Sequence, residues 1–358
     1  MKNFNVYIAF LVLFSAFVSC SPKLAQNTNT SSKSILYPTE SDTARVQFLT
    51  SISNSLAVTK QQSSFTSSIV GEQQIKEIAK PYGVSIRDGK VYVCDVTLRA
   101  VAIIDLDNKT FDYMVPKGKQ SFALPLNSFI DQEGKIYVVD TNKHLISVFN
   151  QDHNIIAQFG EDTNINPTDI FIKNGKIYVV DAKGNRVNMY DHKTNEFIDY
   201  FPKTVAGNDD HLYTPTNIFI TNERIYVSDL GATNVKIYDL DGKHVKNIGS
   251  LGAQIGKFVR PKGIAADKEE ILYVVDAAFE QIQMFNKKGE LLMFFGGPYD
   301  KNRPGGLWLP TQMTIDYENI KYFQQYVDPK YDLKYIILVA NQFGPDKINI
   351  YGRVDLKK

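Results

Sequence analysis

Cysteine and tryptophan are nearly missing from this chain, which carries two cysteines, Cys20 and Cys94, and one tryptophan in 358 residues. Two thiols allow at most one intramolecular disulfide and leave no cysteine metal cluster. No CxxCH haem signature, HExxH pair, G-x-S-x-G elbow, P-loop or GxGxxG after a strand occurs, so the usual marks of haem, zinc-protease, serine-hydrolase and nucleotide chemistry are absent. Charge of one sign is lacking too. The formal net charge is +1, and a nucleic-acid partner would call for a basic excess or stripe. The N-terminal apolar run Val6–Val18, interrupted only by Ser15, is short for a membrane span.

What is abundant is aromatic: 22 Phe and 20 Tyr, a composition that suits strands. The stretch from Arg260 to Gly296 shows how they are used. Gly263–Ala266, Ile271–Val275, Gln281–Phe285 and Leu291–Phe295 are short apolar runs divided by Gly, Asp and Lys turns, a pattern that predicts four strands. Ile271, Tyr273 and Val275 fall on one face of the second run, and Leu272 and Val274 on the other. A strand apolar on both faces needs packing partners above and below its sheet.

This unit repeats. Pro81, Pro125, Pro167, Pro215, Pro261 and Pro310 are spaced 44, 42, 48, 46 and 49 residues apart. Each precedes a motif of the Ile/Val-Tyr-Val-x-Asp type ending at Asp95, Asp140, Asp181, Asp229 and Asp276, with Asn341 closing a divergent sixth copy. A period in the forties with four strands per unit predicts an all-β, six-bladed propeller. After Tyr351 too little chain remains for the last outer strand, whereas Arg45–Ser51 is a spare strand near the start. Pairing it with Lys347–Tyr351 would close the ring and remove two exposed edges. Ser53–Glu72 reads as a polar loop, and Ile75–Ala79 as one helical turn leading into the first blade.

The recurring Asp sits before a turn, where it accepts backbone N–H bonds, and a residue needed once for chemistry would not recur in five units. The histidines His144, His153, His192, His211 and His244 lie at unmatched phases of their units, so they do not predict one axial metal. Cys94, inside an apolar run, reads as a small buried side chain. The strand-entry residues Ser128, Asp169, Asn217, Lys262 and Gln312 should gather near the channel mouth and form the default binding region. No cofactor is predicted, although a calcium site of carboxylates and carbonyls on the axis stays open. The sixth unit is longer: its Asp/Asn interval is 65 where the one before is 47. The extra piece, about Tyr317–Lys334, predicts a short helix with Ile320, Phe323 and Val327 on one face. Its Tyr317, Tyr322, Tyr326 and Tyr331 cover the rim or form a contact surface.

Two resemblances add to this. Phe17-Val18-Ser19-Cys20 resembles a bacterial lipobox, with Phe17 where Leu is usual. It implies a signal peptide over 1–19, lipidation of Cys20, a tether over 20–40 and a propeller over 41–358. The repeats from about 80 to 351 resemble NHL blades, and the layout is similar to bacterial six-bladed NHL-type, TolB-like propeller lipoproteins. That implies an address in the bacterial cell envelope, membrane-anchored and facing periplasm or cell surface. It brings little mechanism; the reading adopted is a binding or scaffolding role toward an envelope protein or small ligand. Related propellers include metal-dependent lactonases and a lyase, so a divalent-metal-dependent hydrolase or lyase is the rival expectation, by analogy of fold alone.

Overall fold

The computed structural model describes residues 34–39, 44–59, 74–160 and 164–358. Cys20, the signal peptide and most of the expected tether lie outside the described residues. Residues from Ser34 to Lys358 form one compact unit by themselves. It is an all-β ring of six antiparallel sheets, five of them four-stranded meanders.

The inner strands are Pro81–Arg87, Pro125–Ile130, Pro167–Lys173, Pro215–Ile220, Pro261–Ala266 and Pro310–Asp316. Each packs beside the inner strand of the next blade, and the last beside the first. Six apolar clusters fill the six gaps between neighbouring blades. The two-sided second strands make this work. In Leu272–Asp276, Tyr273 and Val275 enter the cluster shared with blade 6, while Leu272 and Val274 enter the one shared with blade 4. Burying one such aliphatic side chain stabilises the fold by about 1.5–3 kcal/mol.

The sixth sheet is closed from both ends of the chain. Val46–Ile52 pairs antiparallel with Ile348–Leu356, from Val46↔Arg353 to Ile52↔Ile348, with a register shift between Phe48 and Thr50. The expected seam is therefore present. Ile35–Tyr37 adds a fifth strand outside it, within the stretch expected to be tether.

Two local expectations are corrected. Ile75–Ala79 is not a helical turn: Ile78 N donates to Ser53 O at 2.9 Å and Ser55 N to Lys76 O at 2.8 Å. Its backbone is already paired with the chain after the closing strand. The Ile320–Val327 helix is instead two 3₁₀ turns, Ile320–Tyr322 and Gln324–Tyr326. The two turns are held at their ends by other bonds: Asn319 N donates to Asp316 Oδ1 at 2.6 Å, and Asp328 N donates to Gln47 Oε1 at 3.0 Å. Phe323 is buried, with Ile320 and Val327 packed against the same cluster between blades 6 and 1.

Candidate functional site

Each inner strand begins with the same device. Just after its proline the register slips by one residue. Such a bulge re-aims side chains. The second residue after each proline is Gly83, Asn127, Asp169, Asn217, Gly263 and Gln312 around the ring. Four of them make a buried plug centred on Asp169. Asn127 Nδ2 donates to its Oδ1 at 2.6 Å, as does Ile170 N at 2.8 Å. Its Oδ2 accepts from Ile218 N at 2.9 Å and Asn217 Nδ2 at 3.2 Å, with Gln312 Nε2 at 3.5 Å. Asn217 Nδ2 also donates to Gln312 Oε1 at 3.0 Å. Gly83 admits this packing, because a Cβ there would stand 2.6 Å from the Leu126 carbonyl oxygen. Burial pushes the Asp169 carboxyl up to about 7 against the pull of these donors.

The five recurring aspartates do something else. Asp276 accepts from Val259 N and Arg260 N ahead of its blade, and from Ala278 N and Phe279 N in the turn after it. Asp95 and Asp229 clasp four N–H groups in the same way. In the sixth blade Asn341 Oδ1 accepts from Trp308 N at 3.2 Å. They fasten each blade entry to its second strand, an architectural role.

Beyond the plug the axis widens. A cavity of about 260 Å³ is lined by Ser85, Thr314 and the aromatic run Phe129, Phe171 and Phe219. Neighbouring rings in that run are 5.2 Å apart. It opens at the strand-exit end into a funnel of about 830 Å³, which shares Phe171, Phe219 and Ile315 with it. The funnel rim is charged, with Lys173, Lys268 and Lys287 against Glu223, Asp267, Glu269, Glu270 and Glu318. Lys287 Nζ bonds Glu223 at 2.7 Å, Lys173 Nζ bonds Asn222 at 2.8 Å, and Lys268 lies 4.1 Å from the Tyr317 ring centroid. The apolar lining, Phe171, Phe219 and Ile315, lies on the floor.

Of the five mouth residues expected, Asp169, Asn217 and Gln312 are brought into direct contact. Ser128 sits one place further along, its Oγ 3.1 Å from Ser85 Oγ. Lys262 joins a different partner, Tyr82, at 2.9 Å. Asn127 was missed, although it occupies the same place after its proline as Asp169. The funnel was missed too, because its lining comes from strand ends and turns far apart in sequence. The four tyrosines do not form one surface. Tyr331 is core, Tyr317 packs 4.7 Å from Tyr335 at the funnel, Tyr322 approaches Gly89, and the Tyr326 side chain is exposed. Cys94 is buried, which pushes its thiol up to about 12.

A calcium ion takes six to eight oxygens. The plug offers one carboxylate, both of whose oxygens already hold a backbone N–H, and its amides turn nitrogen toward that carboxylate. This donor set does not fit the ion. Among the described residues, no group of three or more His, Cys, Asp or Glu side chains could hold a metal.

The comparisons agree on the fold. A family described as 6-bladed beta-propeller matches residues 206–293. No curated protein matches the chain. Among solved structures, virginiamycin B lyase from Staphylococcus aureus is similar at 14% identity and TM-score 0.53, over 77% of this chain and 96% of that one. A protein of unknown function from Bacteroides thetaiotaomicron is similar at 14% identity and TM-score 0.58, over 87% of this chain and 76% of that one. At such identity the likeness is one of fold. The chain is a six-bladed β-propeller.

Proposed function

We propose that the protein is a binding module that receives an apolar group of a small ligand or partner protein in the funnel at the strand-exit end. The observation that carries this reading is the continuous aromatic floor, where Phe171 and Phe219 line both the funnel and the inner channel. Pockets that bind ligands are typically apolar with a few polar groups at the edge, and here the apolar floor lies inside a charged rim. We further propose that lipid on Cys20 anchors the module to a membrane of the bacterial envelope. The lipobox-like sequence supports that part alone.

The rival reading, a metal-dependent hydrolase or lyase, is supported by kinship of fold with virginiamycin B lyase. The hydrogen-bonded Asp169 plug gives it no ligand set, so binding is the reading we adopt. A ligand-observed NMR screen of aromatic and aliphatic amphiphiles against residues Ser34–Lys358 tests it. Binding lost in Asn222→Trp, which places an indole at the funnel rim, supports the proposal. Binding indifferent to that change contradicts it.

A further inference from the structure

Lys262 is the anomaly of the opposite, proline-side mouth. It stands one place after the proline of the fifth inner strand and is only 8% exposed. Its Nζ meets the Tyr82 hydroxyl at 2.9 Å and lies 5.3 Å from the centre of that ring. Among the described residues no carboxylate lies within ion-pair distance of it. A charge taken out of water is ordinarily balanced by a counter-charge or a full set of hydrogen bonds. Asp169, at the next position around the bulges, is saturated by its own donors and cannot serve.

The hydroxyl beside Lys262 is similarly poised. Tyr82 accepts from the ammonium, and no acceptor for its own hydrogen is found among the described residues. The threonines at the equivalent places in blades 3, 4 and 6 take no part: Thr168 Oγ1 is enclosed, Thr216 Oγ1 lies 2.9 Å from Ser228 Oγ, and Thr311 Oγ1 donates to the Tyr82 carbonyl at 2.7 Å. Arg260 and Lys80, just ahead of the prolines of blades 5 and 1, make no ion pair among the described residues.

We propose that the proline-side mouth is an oxyanion site, in which the carboxylate of a small-molecule anion accepts from Lys262 Nζ and from the hydroxyl of Tyr82. One buried ammonium with a neutral hydroxyl suits a monoanion, and a phosphate is the other source of the same chemistry. The site is separate from the funnel and does not rest on the reading given for it.

Calorimetric titration of residues Ser34–Lys358 with sodium acetate and with inorganic phosphate, against sodium chloride at matched ionic strength, tests it. Acetate or phosphate should bind saturably, and Lys262→Gln should weaken that binding by at least about tenfold, as expected when one partner of a buried charge pair is lost. Lys262→Arg should retain it, Tyr82→Phe should weaken it less, and Asn222→Trp in the funnel should leave it unchanged. Acetate binding assigns a carboxylate ligand, and phosphate binding alone assigns a phosphate. Should Lys262→Gln not fold, Tyr82→Phe gives the reading. No saturation by either anion overturns the proposal, as does binding that Lys262→Gln and Tyr82→Phe both leave intact.

Discussion

Phe48 and Tyr351 face each other across the seam of the ring, as register partners with ring centroids 5.6 Å apart and planes at 69°. They come from opposite ends of the chain. The Tyr351 hydroxyl donates to the Gly305 carbonyl at 2.7 Å. Gly305 has φ +81°, and a Cβ on it would stand 2.7 Å from Phe48 Cγ. The glycine-rich connection after blade 5 is thus shaped to let the closing strand dock.

Phe48→Ala should therefore loosen the seam. A buried Phe→Ala change costs about 3–5 kcal/mol. Phe48 is half-buried, so a loss of about 2 kcal/mol is expected in urea unfolding of residues Ser34–Lys358. An unchanged midpoint would show that the seam does not hold the ring together.

The recurring aspartates give a second prediction. Asp276→Ala leaves four backbone N–H groups without their acceptor. Stranding even one buried donor costs about 1–3 kcal/mol, so a loss of at least about 2 kcal/mol is expected. Asp276→Asn should cost less, because Asn341 fills the equivalent place in blade 6. Equal losses for the two variants would contradict the role given to the side-chain oxygen.

Asp169 predicts a pH dependence of defined sign. Its native carboxyl titrates at about 7, above the ordinary 3.8. Between these values the native state keeps a proton that the unfolded chain has released, so stability falls as pH rises through that window. The slope for one group is at most about 1.4 kcal/mol per pH unit. Urea midpoints of the wild type should drop from pH 5 to pH 7 relative to those of Asp169→Asn. Parallel curves would place the Asp169 titration elsewhere.

The fold was legible because its rules are local and repeated. Pro-to-Asp spacing, two-sided strands such as Leu272–Asp276 and a spare strand at Arg45–Ser51 each follow from composition and period. Tyr273 illustrates the limit. Its motif was plain, but its hydroxyl partner, Tyr335 at 2.6 Å, comes from the next blade. The axis was half legible: Asp169, Asn217 and Gln312 stand at one place in the repeat, yet which amide reaches the carboxylate depends on bulges that periodicity does not show. The funnel was not legible, since Phe171, Glu223, Lys268 and Tyr317 share no motif. Ile320–Val327 has the right apolar spacing for a helix, but its flanks are tied to Asp316 and Gln47, contacts that spacing does not show.

The proposed anchor has its own check. Cys20→Ser should move the protein from the membrane to the soluble fraction after cell disruption. Retention of the variant in membranes would exclude lipid on Cys20 as the attachment.

The funnel is best tested by fluorescence titration of residues Ser34–Lys358 with anilinonaphthalene sulfonate, an apolar probe with one charged group. Saturable binding to a single site is predicted. Both Asn222→Trp at the rim and Phe219→Ser on the floor should weaken it by at least about tenfold, equivalent to roughly 1.4 kcal/mol, while Lys262→Gln at the far mouth leaves it intact. Absence of saturable binding, or binding that survives both funnel changes, would contradict the account.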